Sequence, residues 1–273
     1  DKIDKIFWLF GFPLLVLLLW VEPFERGYVQ DDMSLRLPFK EQQISIAVLA
    51  GSGFAVAVVT ILIVEIVRDK QGKSVGEKFL LGSLVQAWVW ESYTTIGVFV
   101  FGAACQQLTS DLAKAVIGRL RPHFYDVCGP VPTDSLGGTI GYVATYRCTL
   151  NADKPGLLKD MKMSFPSSHS SFAMYCAVFL IFYVQVKCKW RGSKLLRHAY
   201  QFALIIAAWY IGLSRVVDHM HHWSDVAVGF LIGATYAFLF KFVLKTKEYN
   251  PLPTQWEDPP LPTNSLPRAV LAR

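Results

Sequence analysis

The chain has 273 residues, 53% of them hydrophobic, a net charge of +6 and a mean hydropathy of +0.34. That is too apolar for an ordinary soluble domain. The positive charge sits mostly in short linkers, without aromatic-basic interleaving or a nucleic-acid motif, so anionic lipid headgroups are the expected counter-charge and nucleic acid is excluded.

A bilayer core takes about 20 apolar residues per helix. In chain order the predicted spans are Ile6–Val21, Ile44–Val64, Ser92–Leu112, Ser170–Val186, Tyr200–Leu213 and Val226–Leu244. The first is followed by Glu22 and Pro23 with no small-residue cleavage site, so it reads as a retained span. The fifth is short and needs Val216-Val217 or its upstream flank to complete it. Arg68, Lys70, Lys73 and Lys78 separate the second span from the third. Lys187, Lys189, Arg191, Lys194 and Arg197 separate the fourth from the fifth. An excess of Lys and Arg marks cytoplasmic loops, and Lys2, Lys5, Lys241, Lys245 and Lys247 place both termini on that side too. Residues 22–43, 113–169 and 214–225 are then extracytoplasmic. The middle segment breaks the charge rule with Lys114, Arg119 and Arg121, and phosphate binding accounts for them.

One membrane domain is expected over residues 1–248. Residues 249–273 carry six prolines without apolar periodicity and read as a disordered cytoplasmic tail. The loop Gly129–Lys162, rich in Gly, Pro and Thr, is expected to be irregular structure capping the site. Cys128 and Cys148 share the large outer segment, and a disulfide is expected there in an oxidising compartment, with two free thiols as the alternative. It would close a loop of about 20 residues, worth on the order of 3 kcal/mol.

The polar residues gather where the apolar runs end. Lys114 and Arg121-Pro122 follow the third span, and Pro166-Ser167-Ser168-His169 precede the fourth. Ser214-Arg215 end the fifth, while His221 and Asp225 lead into the sixth. An up-and-down path brings all of these to one membrane face. His221 and Asp225 are four apart, so on a helix the carboxylate would reach one ring nitrogen and leave the other free to attack. Ser167, Ser168 and His169 fall at a helix N-terminus, where free N–H groups favour an anion. Arg121 and Arg215 offer bidentate forks and Lys114 a mobile point charge. Two histidines in different places suggest a nucleophile and a general acid. Read alone, Asp218-His219-x-His221-His222-x-x-Asp225 also fits a divalent metal site, but Arg215 beside it opposes a metal, and no metal or other cofactor is expected. His219 and His222 read as polar residues at headgroup level, and His123 and His198 as interfacial polar residues without function.

Lys114-x6-Arg121-Pro122, Pro166-Ser167-x-His169 and Ser214-Arg215-x5-His221-x3-Asp225 together resemble the three signature motifs of the type-2 phosphatidate phosphatase superfamily. Gly27-Tyr28 through Asp31-Asp32 and Pro38-Phe39-Lys40-Glu41 are similar to its animal lipid phosphate phosphatase branch, and the resemblance covers roughly residues 5–245. It implies an all-α, six-transmembrane helix bundle with an acid phosphatase/haloperoxidase-like core and an extracytoplasmic active site at the helix ends. It implies a metal-independent phosphatase in which His221 attacks phosphorus, Asp225 orients it and His169 protonates the leaving alcohol. Lys114, Arg121, Ser167, Ser214 and Arg215 would bind phosphate oxygens. The substrates implied are phosphatidate, lysophosphatidate, sphingosine 1-phosphate and ceramide 1-phosphate, met at the bilayer of the plasma membrane or an internal organelle by a chain that a homo-oligomer would also accommodate. The family usually has Pro-Ser-Gly-His, and here Ser168 replaces the glycine. With a negative φ that costs little, and the added hydroxyl can join the phosphate-binding set; with a positive φ activity would fall. The alternative reading is a non-catalytic lipid-phosphate binder in which Ser168 blocks turnover.

Overall fold

A computed structural model of the chain describes residues 22–72, 78–80, 83–133, 141–188 and 194–249. The predicted first span, Ile6–Val21, and the proline-rich segment from Asn250 onward lie outside the described residues. Helix α1 runs Ile46–Lys70, α2 Ala87–Ile117, α3 Phe124–Cys128, α4 Pro155–Asp160, α5 Ser168–Lys187, α6 Lys194–Val217 and α7 Trp223–Tyr249. The predicted spans three to six each fall within one of the long helices α2, α5, α6 and α7, and the second, Ile44–Val64, begins two residues before α1, whose N-cap is Ser45. The fifth is completed from both sides, from Lys194 through Val217.

Four of these helices, α1, α5, α6 and α7, are long and apolar enough to cross a bilayer, which makes the chain a membrane protein. The fifth, α2, carries Gln106, Gln107, Ser110, Asp111 and Lys114 along its second half and is not among the four. Its polarity matches its place, since Gln106 and Ser110 are buried inside the bundle. Ser45 caps α1 by accepting from the Val48 N–H at 3.3 Å, and Arg68 and Lys70 close its last turn.

Helix α5 is the axis of the bundle: 56% of its apolar window is buried, against 17% for α1, 22% for α6 and 28% for α7. Tyr175, Phe179, Leu180 and Tyr183 on α5 pack with Phe99 of α2, Ile61 of α1 and Ala237 of α7. Helices α5 and α7 pack closely because α7 offers glycine on the facing side. A Cβ on Gly233 would lie 2.1 Å from the Ser171 carbonyl oxygen, and one on Gly229 2.6 Å from that of Ser167. This contact brings the N-terminus of α7 beside that of α5.

At the far end of the bundle, Glu65 is fully buried and bonded by Tyr183 at 2.8 Å, with Arg68 at 3.2 Å and Lys187 at 3.9 Å. The basic residues expected to mark that end thus also neutralise a buried acid.

A small second core covers the opposite end. Tyr28, Leu35, Leu120, Phe124, Val127, Val143 and Met161 are buried together there, around the Cys128–Cys148 disulfide. The loop expected to be irregular is partly ordered: β4 (Pro130–Pro132) pairs antiparallel with β6 (Tyr146–Cys148), and β5 (Tyr142–Val143) with β1 (Tyr28–Val29). Tyr146, Val143 and Tyr28 supply apolar faces that composition alone concealed. Strands β2 (Lys78–Leu80) and β3 (Ser83–Val85) form a hairpin between α1 and α2.

Replacing Gly233 with valine is expected to push α7 off α5, at a cost of about 1–3 kcal/mol. A lowered thermal unfolding midpoint in detergent would record it; an unchanged midpoint would show that the close approach is dispensable.

Candidate active site

Local turns bring the three motifs together. Helix α2 stops at Gly118, whose φ of 58° and N–H to the Lys114 carbonyl at 3.1 Å form a left-handed cap. A side chain at Gly118 would also strike the Phe24 carbonyl oxygen, 2.0 Å from an added Cβ. The chain therefore turns at Gly118 and continues without regular structure through Arg119 and Arg121. There the Arg119 carbonyl accepts from the Ser164 N–H and the Met161 carbonyl from the Arg121 N–H, both at 2.9 Å. The first motif is thus stitched to the segment leading into the second.

Ser167 is the N-cap of α5, and its hydroxyl oxygen accepts from the Ser170 N–H at 3.4 Å and the Ser170 hydroxyl at 2.9 Å. Its own N–H bonds the Asp225 carbonyl at 3.1 Å, tying α5 to α7. Ser168 and His169 are the first helical residues, so Ser168 stands at negative φ. The strain that a serine would suffer at a positive-φ glycine site does not arise. The Ser168 hydroxyl and His169 Nε2 are buried without a hydrogen-bond partner among the described residues, a state polar atoms occupy when a ligand completes them.

The third motif departs from the sequence reading. Helix α7 begins at Trp223, so His221 precedes it and does not share a helical face with Asp225. The imidazole Nδ1 lies 3.8 Å from the Asp225 carboxylate, beyond hydrogen-bond range. It lies instead 2.6 Å from the Ser164 carbonyl oxygen. A carbonyl only accepts, so Nδ1 carries the proton and Nε2 keeps its lone pair. Asp225 accepts from the Ser164 hydroxyl at 2.6 Å, from the His222 N–H at 3.0 Å and from Arg119 at 2.5 Å, with His222 Nδ1 at 3.3 Å. The bond back to the His222 N–H is the reciprocal half of a helix capping box, and it accounts for an acid three residues into α7. Burial pushes the His221 ring down to about 4; the Asp225 carboxylate opposes this, and the Arg121 and Lys114 cations add to it.

Each cation is held by a partner. Arg121 is buried, bonding the Asp160 carboxylate at 2.6 Å and carbonyl at 2.9 Å. Arg215 is 1% exposed and bonds Asp218 at 3.0 Å and the Ile44 carbonyl at 3.1 Å, with the Ser214 hydroxyl at 3.2 Å. Lys114 stands 3.7 Å from Asp111. Lys114, Arg121, Arg215 and the His221 ring are all near enough to act electrostatically on His169, so the three motifs gather around it. The segment 37–44 is tied to the end of α6, with Gln43 N–H on Asp218 at 3.1 Å and Lys40 on the Val217 carbonyl at 3.2 Å.

Of the remaining histidines, His123 needs correction. His123 is fully buried, its Nδ1 2.9 Å from the His219 carbonyl, so it is a core residue and not an interfacial one. His219, at φ 56°, turns to the Pro38 carbonyl at 2.8 Å. His222 serves Asp225. With Asp218 on Arg215, the donors of the possible metal set face different partners, and no such cluster forms among the described residues. Arg119, read from sequence as a phosphate ligand, spends its guanidinium on Asp225 and on the Ser224 hydroxyl at 2.8 Å. The sequence pattern does not single out Ser164 or Asp160 and offers Asp218 only as a member of the possible metal set; their proximity to the motifs does not specify a partner.

Residues 95–249 match the model of the PAP2 superfamily. The chain belongs to that superfamily. A Drosophila melanogaster protein is 41% identical over 243 residues, covering 84% of this chain, which spans 64% of that protein's length. Mouse proteins named phospholipid phosphatase 2 and phospholipid phosphatase 1 are 39% and 37% identical, over 83% and 84% of this chain and 79% and 78% of their own lengths. No solved structure matches.

Since the unfolded ring takes up its proton near 6.5 and the buried His221 only near 4, acidification through that window binds protons to the unfolded chain first and destabilises the fold. Histidine NMR should place the His221 midpoint near 4; a midpoint near 6.5 would contradict the burial.

Proposed function

We propose that this PAP2 phosphatase is an integral membrane lipid phosphate phosphatase that works without a metal, through a phosphohistidine at His221. The observation that carries the reading is the buried imidazole with Nδ1 fixed on the Ser164 carbonyl, which leaves the Nε2 lone pair available, with Arg121 and Lys114 near enough to act on the ring. In the first step Nε2 attacks phosphorus, the bond from phosphorus to the lipid oxygen breaks, and His169 gives that oxygen its proton. In the second, water attacks the phosphohistidine, His169 recovers a proton, and inorganic phosphate leaves. Lys114, Arg121, Arg215, Ser214, Ser167 and Ser168 hold the phosphoryl oxygens, and the N-terminus of α5 adds backbone donors.

The names of the mouse relatives support phospholipid substrates. The reading extends to phosphatidate, lysophosphatidate, sphingosine 1-phosphate and ceramide 1-phosphate, and from there to lipid signalling. A site at helix ends suits a headgroup presented by a bilayer. The basic linkers support six spans over residues 1–248, with both termini cytoplasmic and the site extracellular or lumenal, at the plasma membrane.

The test is phosphate release from phosphatidate in detergent micelles containing EDTA. Wild type should turn over and His221→Ala should not; loss of wild-type activity to EDTA with recovery on adding Mg²⁺ would overturn the metal-free mechanism. Ser168→Gly should keep kcat within about tenfold, or about 1.4 kcal/mol, of wild type. An inactive Ser168→Gly enzyme would make the hydroxyl indispensable.

A further inference from the structure

We propose that Arg119 is a positioning residue for the nucleophile, acting on His221 through Asp225 and Ser164; this rests on the phosphohistidine reading above. Asp225 is fully buried, and its two oxygens are divided. One takes the Arg119 guanidinium at 2.5 Å, and the other takes the Ser164 hydroxyl at 2.6 Å and the His222 N–H at 3.0 Å. Ser164 then presents its carbonyl to His221 Nδ1 at 2.6 Å. The guanidinium thus fixes a carboxylate, the carboxylate fixes a serine, and the serine fixes the proton on the imidazole. Without Arg119 the buried charge loses its cation; His222 Nδ1, at 3.3 Å, already serves Asp225, and the next ring nitrogen is His221 Nδ1, 3.8 Å away. A carboxylate drawn to the ring would give up Ser164 and shift the imidazole away from its line to phosphorus.

Two features make the assignment separable from a general structural role. The Arg119 backbone is anchored independently of its side chain, because its carbonyl takes the Ser164 N–H at 2.9 Å. Truncating the side chain therefore leaves the stitch between the first two motifs. The side chain is also 33% exposed. It borders a cavity of about 490 Å³ together with Arg26, Tyr28, Tyr142, Phe165 and His222. This cavity is roomy enough for a small cation to reach the place that a truncated Arg119 would leave. The side chain therefore acts from behind the nucleophile, on the side of Asp225.

The experiment compares wild type, Arg119→Ala, Arg119→Lys and His221→Ala in phosphatidate micelles with EDTA, each with and without guanidinium chloride at tens of millimolar. Arg119→Ala should lose about 10²-fold in kcat, the scale set by a small misplacement of a reacting group, while KM changes far less. Guanidinium should restore part of that loss saturably in Arg119→Ala and do nothing for His221→Ala. Arg119→Lys should fall between alanine and wild type. Full activity of Arg119→Ala beside an active wild type would overturn the assignment alone. A loss carried mainly by KM would make Arg119 a phosphate ligand and overturn it too, as would a kcat loss that neither guanidinium nor lysine relieves. If Arg119→Ala does not purify as a folded protein, Arg119→Gln takes its place under the same criteria. A wild type that releases no phosphate would overturn the phosphohistidine reading and this assignment with it.

Discussion

The buried carboxylate of Asp225 sets the architecture around it. A charge with no solvent exposure has to be matched by donors, and here they come from the segment after α2, the approach to α5 and the N-cap of α7. Satisfying one acid therefore fixes three stretches of chain that are far apart in sequence. The same three stretches carry His221, Arg121 and Ser168, three of the residues in the proposed site. The close α5–α7 packing through Gly229 and Gly233 places Asp225 where those donors meet, so helix packing and site geometry are one constraint seen at two depths.

The apolar periodicity of the long helices was legible because burial in lipid needs only length and hydropathy. Helix α2 was legible for the same reason over Ser92–Leu112, although its buried Gln106 and Ser110 lower its apolar character. Gln106 sits where α5 approaches, and the Ser171 hydroxyl donates to its Oε1 at 2.5 Å. The spacing of His221 and Asp225 misled for a definite reason. A four-residue interval implies contact only inside a helix, and α7 starts two residues after His221. The capping role of Asp225 draws its oxygens back to His222, and the imidazole turns to a backbone carbonyl that no sequence pattern announces. Backbone acceptors such as the Ser164 carbonyl depend on the local path of the chain and not on side-chain identity.

Ser168 illustrates the opposite case, where structure removes a concern that sequence raised. A glycine in a phosphate-binding turn usually signals positive φ or a close approach. Here the position is the first turn of α5, where any residue adopts the required backbone. A serine adds a hydroxyl next to the free N–H groups of the helix start. The substitution is therefore compatible with anion binding, and both histidines and Asp225 remain in place around it.

The charge balance of the pocket bears on how such a site can turn over. Lys114 faces Asp111, Arg121 faces Asp160, Arg215 faces Asp218 and Arg119 faces Asp225. Four cations already paired with four acids give little net field for a ground-state phosphate, which keeps binding of substrate and of product phosphate modest. What the acids supply is orientation: each guanidinium is held at a fixed angle before substrate arrives. Interactions set in advance cost no reorganisation when charge spreads over the equatorial oxygens of the transition state, so they favour that state over both the bound lipid and the released phosphate. A pocket lined by unpaired cations would bind phosphate more tightly and release it more slowly. On the proposed mechanism, the acidic partners therefore help phosphate leave.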